Sequence, residues 1–350
     1  MPVLSKQQQK KQVCFFLILC ARLPRLCGMK YLISAYVTEP ASLEDKRAYY
    51  AALATLPFDG YELPLLPGGA LHADEAFLLA NLAPGKDYVL SCIPATMTAL
   101  GAGELLGLAA EDEAARARAL ALARQACAAV ARLNAAQGRR AVLGVEVHSG
   151  PGAARGATSA AALQRSLVEL AQWDWQGAEV YLEHCDAAGP HPPAKGFLAL
   201  EEELAAVAGA AAALAALPPA AAAARAPARL GVVVQWARSV LETRDPATAL
   251  AHIHSAAPHL AGVSFCGCSG ADTLYGAWQD SHMAQEAYAP GSLLTAGAIA
   301  DAGAALRQAR PPRLAWVGSK AALRDAAPIS PQRRADVHAD LLAALRQALA

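Results

Sequence analysis

Val180-Tyr181-Leu182-Glu183-His184-Cys185-Asp186 decides how this chain is read. An apolar, β-branched and aromatic run turns abruptly into four residues able to ligate a metal or move a proton. Such a run marks a buried parallel strand whose carboxyl end opens into a pocket. Ala141-Val142-Leu143-Gly144-Val145-Glu146-Val147-His148-Ser149 repeats the pattern upstream. Two strands that both pass from apolar residues to ligands at their ends imply one shared site.

Outward from these two, short β-rich runs alternate with long alanine-rich helical stretches. Strands are expected at 31–37, 60–63, 88–93, 141–148, 178–184, 230–236, 262–266 and 313–317. Helices are expected at 42–56, 72–82, 111–137, 159–173, 200–217, 246–257, 294–308 and 332–349. Strict strand–helix alternation makes a parallel sheet, and eight cycles predict an α/β fold closed into a single (β/α)8 TIM barrel over residues 29–350. The competing open, doubly wound sheet usually carries a glycine-rich phosphate turn after its first strand, and Val37-Thr38-Glu39-Pro40 has none. The alanine-rich stretch 205–228 reads as helix broken at Pro218-Pro219, where a loop is due.

Residues 1–28 read as an extension that precedes a working start at Met29. Lys6 to Lys11 is polar and basic, and Val13 to Ala21 is apolar but far short of the ~20 residues that span a bilayer. The two resemble the opening of an export signal, the alternative reading, yet Arg22-Leu23-Pro24-Arg25 stands where a small-residue cleavage site belongs.

A chain of 350 residues, 55% hydrophobic and 17% charged, can bury a large core. Its formal net charge of zero leaves no field to hold a polyanion, which argues against nucleic acid and acidic membranes as partners. A small molecule is the expected partner, and a homo-oligomer is an assembly state the composition allows. Cys92, Cys127, Cys185 and Cys266 each sit inside an apolar element, as reduced thiols of a cytoplasmic protein would.

In a barrel, alternate strand residues face the axis. Val145 and Val147 then face the helices, sending Glu146 and His148 inward; Tyr181 and Glu183 face inward, and His184 faces the helix layer. Neighbouring strands lie about 4.8 Å apart, so two inward carboxylates repel strongly unless a cation lies between them or they share a proton. Both remedies serve catalysis, since a metal polarises a carbonyl and a carboxyl of raised pKa acts as an acid or base near neutrality. Glu183, Glu146 and His148 are therefore the expected catalytic residues. Glu62 is also placed inward, Gln235 offers an uncharged amide to a hydroxyl or carbonyl, and Arg238 can anchor an anion. Trp278, Asp280 and His282 lie on the long irregular segment 267–292, the expected binding loop, and Lys320 follows the last strand as an anion holder. Purely structural pairings compete with these roles: Glu146 with Arg155 or Arg238, Glu183 with Lys195, Arg238 with Glu242, and His184 with a backbone carbonyl. Asp280 and His282 capping a short helix at the surface is a further such alternative.

Gly60-Tyr61-Glu62-Leu63 on strand two and Tyr181-Leu182-Glu183-His184 on strand five resemble the xylose-isomerase-like TIM-barrel superfamily of sugar isomerases and epimerases. Gln235-Trp236-Ala237-Arg238-Ser239 with Tyr275-Gly276-Ala277-Trp278-Gln279-Asp280-Ser281-His282 is similar to a poorly characterised bacterial branch of it, catalogued only as a domain of unknown function. The resemblance implies a divalent metal held by a Glu on strand five, an Asp on six, a His on seven and a Glu on eight. Carried over, Glu183 alone matches; Gln235 replaces the Asp, strand seven offers Ser264 and Cys266, and strand eight has no Glu. A substitute set of Glu183, Glu146 and His282, with His148 in reserve, suits manganese, magnesium or zinc. No other cofactor is expected. The implied activity is isomerisation or epimerisation of a sugar or sugar derivative by proton transfer beside a carbonyl, Glu183 serving as ligand or base and His148 and Gln235 polarising substrate oxygens. The alternative is a barrel that binds a sugar or small metabolite without turnover.

Overall fold

The computed structural model describes residues 28–218 and 226–350. Residues 1–27 of the expected N-terminal extension and 219–225 of the alanine-rich stretch lie outside the described residues. Eight parallel strands form a closed barrel in sequence order: β1 (Lys30–Ile33), β2 (Gly60–Pro64), β3 (Asp87–Ser91), β4 (Val142–Val147), β5 (Glu179–His184), β6 (Leu230–Gln235), β7 (Leu260–Phe265) and β8 (Trp316–Ser319). Pairing of Leu32 with Gly318 is part of the β1–β8 seam that closes it.

Ten α-helices are seen among the described residues: α1 (Leu43–Ala54), α2 (Glu75–Asn81), α3 (Ile93–Gly101), α4 (Glu113–Gln137), α5 (Ala160–Ala171), α6 (Leu200–Ala215), α7 (Trp236–Thr243), α8 (Pro246–Ala256), α9 (Ala296–Ala309) and α10 (Pro331–Leu349). Their starts are chemical. Ser42, Asp74, Asp112, Ser159, Thr295 and Ser330 each accept a hydrogen bond from the backbone N–H three residues on, satisfying a donor the helix leaves open. Asp74 also explains why the helix expected from 72 begins only at Glu75.

Two helices escaped the sequence reading. Pro94 looks like a strand terminator, but at a helix start its fixed φ is an asset, so the strand expected to 93 stops at Ser91 and α3 begins at Ile93. Gln235 caps α7 with its own side chain, which turns the chain out of β6 without a loop. The first strand is shorter than expected because residues 35–38 tighten into a 3₁₀ turn. The eighth begins three residues later than expected, and Arg313 precedes it, pairing with Glu179 at 2.8 Å.

The barrel interior is plugged by Leu32, Val89, Tyr181, Val233, Ala261 and Trp316, all at most 1% exposed. The two large rings fit only over bare backbone. A Cβ on Gly144 would meet the Tyr181 ring at 2.1 Å, and one on Gly262 would meet Trp316 at 2.2 Å. This apolar floor fixes the height at which polar side chains begin.

Candidate active site

Above the floor every strand presents one inward polar side chain, two residues beyond Leu32, Val89, Tyr181 and Val233, three beyond Ala261 and four beyond Trp316. The layer is Ser34 after β1, Glu62, Ser91, Glu146, Glu183, Gln235, Ser264, and Lys320 after β8, each no more than 1% exposed. Arg238, on the first turn of α7, and His148, just beyond β4, join it from above.

Glu183 is the hub. One oxygen lies 2.6 Å from His148 Nε2 and 2.8 Å from an Arg238 amine; the other lies 3.6 Å from Lys320 Nζ. Lys320 Nζ also lies 2.5 Å from Glu62 Oε1, and Glu62 accepts hydrogen bonds from Ser34 at 2.5 Å and from Tyr36 at 3.1 Å. Arg238 Nε reaches Asp280 at 3.1 Å, and Lys195 pairs with the same Asp280 oxygen. Three carboxylates thus face three cations, and Glu146 is left over. Neither of its oxygens has a hydrogen-bond partner.

The two acids expected to conflict have therefore separated in charge. Burial would raise Glu183, but the Arg238 and Lys320 charges outweigh it and hold the carboxyl well below the usual range. Burial, reinforced by the charges of Glu183 and Glu62, pushes Glu146 well above it, which favours its protonated form. Burial pushes His148 down to about 4 despite the Glu183 contact, so the ring is neutral. Its Nε2–H donates to Glu183, which fixes the tautomer and leaves Nδ1 as a lone-pair acceptor, buried and without a partner. The ring borders a cavity of about 20 Å³ lined also by Cys92, Val147 and Gly150.

Of the residues singled out in the sequence, Glu62, Glu146, His148, Glu183, Gln235, Arg238 and Lys320 share this layer. Gln235 accepts the Arg238 N–H at 3.2 Å through Oε1, and its Nε2 has no partner. Trp278 stands apart, in a left-handed backbone conformation with its ring 5.2 Å from the Arg244 guanidinium. His282 lies 3.4 Å from Asp280 and 3.6 Å from Cys266. The competing structural pairings are corrected: Lys195 goes to Asp280, Arg155 donates to the Leu100 carbonyl at 2.9 Å, and Glu242 takes His184. Lys320, expected to hold an anion from outside, is committed to Glu62 and Glu183. Asp280 is half-buried at the mouth, where Lys195 and Arg238 draw it in, rather than capping a surface helix.

The expected metal set of Glu183, Glu146 and His282 does not converge. Among the described residues, only His184, Glu242 and His252 bring three ligand atoms within 4.8 Å of one another. They lie outside the barrel wall, where His184 Nδ1 meets Glu203 at 2.7 Å and Nε2 meets Glu242 at 3.2 Å. Burial opposes charge on this ring, but Glu203 and Glu242 outweigh it and raise it to about 10, and both ring nitrogens face carboxylate oxygens. Ser149 donates to the other Glu203 oxygen at 2.5 Å, tying this cluster to the loop that follows His148. His184 thus serves carboxylates instead of the expected backbone carbonyl. At the mouth, one Glu183 oxygen is held by Arg238 and His148 and the other faces the Lys320 ammonium at 3.6 Å, so a divalent ion there would meet two buried cations and the residues present do not fit it.

Sequence reasoning missed Ser34, Tyr36 and Glu203. Ser34 stood at the end of an inward alternation begun by Leu32, a usable signal, whereas Glu203 reads as an ordinary solvent-facing helical residue.

A family model described as "Domain of unknown function (DUF4862)" matches residues 32–334. An uncharacterised protein of Salmonella typhimurium, STM3670, is 31% identical over 274 residues, 76% of this chain and 81% of that protein. Among solved structures, a D-tagatose 3-epimerase-like protein superposes with TM-score 0.53 at 14% identity over 92% of this chain and 100% of the other. A xylose isomerase domain protein from Alicyclobacillus acidocaldarius gives 0.51 at 15% over 92% and 100%. The IolI protein, solved with a zinc atom, gives 0.53 at 10% over 91% and 99%. At these identities the structures show a shared fold. The chain belongs to the domain of unknown function 4862 family, and it shares its barrel fold with these structures.

Proposed function

We propose that this protein is an isomerase or epimerase of a sugar or sugar derivative, working by proton transfer beside a carbonyl. The observation that carries the reading is Glu146, a fully buried carboxyl in no ion pair, in a layer where Glu62 and Glu183 are each paired with a cation. A neutral buried carboxyl is a proton donor held in reserve. His148 supplies the complementary base, because Glu183 orients its ring and Nδ1 is free of protein partners.

A bound carbonyl then takes the Glu146 proton on oxygen while His148 Nδ1 removes the proton from the neighbouring carbon, giving a neutral enediol and an imidazolium that Glu183 stabilises. Return of the proton to carbon, with the hydroxyl proton going back to Glu146, restores both groups. Gln235 Nε2 and Ser264, whose polar atoms also lack partners, are placed to hold substrate hydroxyls. Lys195, Arg238 and Lys320 are each already paired with a carboxylate, which favours an uncharged sugar over its phosphate. The sugar substrates named for solved barrels of this shape support the class, and burial of the whole layer requires the Asp280 loop to part from Lys195 for entry. Among the described residues no helix is long and apolar enough to cross a membrane, and a cytoplasmic site of action fits the reading.

The test is deuterium wash-in. Incubated in D2O with a panel of ketoses and aldoses, the wild type exchanges the hydrogen beside the carbonyl of its substrate, read by proton NMR, and Glu146→Gln does not. A sugar that binds without exchange or conversion overturns the enzyme reading and leaves a binding protein.

A further inference from the structure

We propose that the Lys320 ammonium is the built-in cation of this site, occupying the place between Glu62 and Glu183 that a divalent metal would need, so that the protein works without one. Lys320 follows β8 and points to the axis because it stands two residues beyond Gly318 and four beyond Trp316, which caps the floor. Its side chain is fully buried, with Nζ 2.5 Å from Glu62 and 3.6 Å from Glu183, the geometry of one positive charge shared by two strand-end acids. Glu183 Oε1 has no hydrogen bond and faces the Lys320 charge at 3.6 Å, while the other acceptors are engaged. Ser34 and Tyr36 occupy Glu62, and Arg238 and His148 occupy the second Glu183 oxygen.

An inserted dication would sit beside two fixed, buried cations, at Coulombic cost that a low-dielectric interior magnifies. An ammonium has three donors, and two carboxylates leave one for a substrate oxygen. In the proton-transfer reading, on which this part of the inference rests, Lys320 polarises the oxygen beside the reacting carbon and keeps Glu183 ionised as the support of His148. The exclusion of metal from the mouth rests on the ion pairs alone.

The test titrates chelator-treated full-length protein with Mn²⁺, followed by calorimetry and by electron paramagnetic resonance of free Mn²⁺. Wild type and Glu183→Gln are expected to bind equally, so that any ion taken up lies elsewhere. Lys320→Met removes the charge and keeps the stem; it should gain Mn²⁺ affinity by roughly tenfold or more, a change of about 1.4 kcal/mol, and Glu183→Gln added to it should abolish the gain. One equivalent bound by the wild type and lost in Glu183→Gln overturns the proposal, as does a folded Lys320→Met with no gain. Should Lys320→Met fail to fold, the wild type against Glu183→Gln and Lys320→Arg decides, the proposal requiring that none of the three bind at Glu183. Absence of any deuterium wash-in would sink the enzyme reading and leave this titration unaffected; wash-in abolished by chelation and restored by Mn²⁺ would sink the inference and leave the reading intact.

Discussion

Exchanging carboxylate for amide at Glu146 and at Glu183 changes the same atoms on neighbouring strands of one barrel, yet the two variants should behave oppositely. Glu183→Gln withdraws the counter-charge from Arg238 at 2.8 Å and Lys320 at 3.6 Å, both fully buried. Breaking a buried pair costs about 3–5 kcal/mol. Here Arg238 keeps Asp280 and Lys320 keeps Glu62, so about 3 kcal/mol is expected. With an unfolding entropy of about 2.1 cal/mol/K per residue, that lowers the melting temperature of the chain by roughly 4 °C. Glu146→Gln replaces a neutral carboxyl with a neutral amide of the same shape, and its stability should stay within about 1 kcal/mol of wild type while activity falls by roughly 10²–10⁴. Thermal and urea unfolding at pH 7, followed by circular dichroism, compare the two. A Glu146→Gln that costs as much stability as Glu183→Gln would mean that Glu146 is an ionised, paired residue, and the acid assigned to it would be gone.

Three further outcomes follow from the geometry. The rate of deuterium wash-in should hold level through neutrality and fall only as the pH drops through about 4, where the buried His148 ring at last takes a proton; a limb near 6.5 would place that ring in water. His184 is raised from 6.5 to about 10, so its stabilising charge is fully present below the lower value and drains away as pH climbs through the upper one. Urea midpoints should therefore decline between pH 7 and 10 in wild type and stay flat in His184→Gln, and equal slopes would contradict the ion triad. Gly144→Ala sets a methyl 2.1 Å from the Tyr181 ring and should cost about 1–3 kcal/mol, a loss that Tyr181→Leu in the same chain recovers.

Much of this architecture was legible because two periodicities do not compete. Strand runs such as Val142–Val147 and helices such as Glu113–Gln137 carry different repeats, and their strict alternation leaves few folds open. The inward placement of Glu146 and Glu183 followed from the same period of two. What pairs with them did not follow, because Lys320 and Asp280 arrive from two different loops and Arg238 from the start of α7, and sequence offers no ruler across a barrel mouth. Lys320 looked like an anion holder since its distance to Glu62, reached through the β8–β1 seam and the β1–β2 pairing, is invisible in the string. Gln235 was read as a substrate ligand, and its amide does two jobs, capping α7 with one end and leaving the other unpartnered. Glu203 escaped because a buried acid on a helix looks like an exposed one until the histidine behind the wall is found.

The central claim is that one acid of the layer carries a proton at neutral pH while its neighbour does not. Carbon-13 NMR of protein labelled at the glutamate carboxyls, with Glu146→Gln and Glu183→Gln as assignments, measures this directly. The Glu146 resonance should remain at its protonated position from acid pH past neutrality, and that of Glu183 should stay ionised throughout. A Glu146 signal that titrates in the ordinary carboxylate range, near 4, would contradict the account.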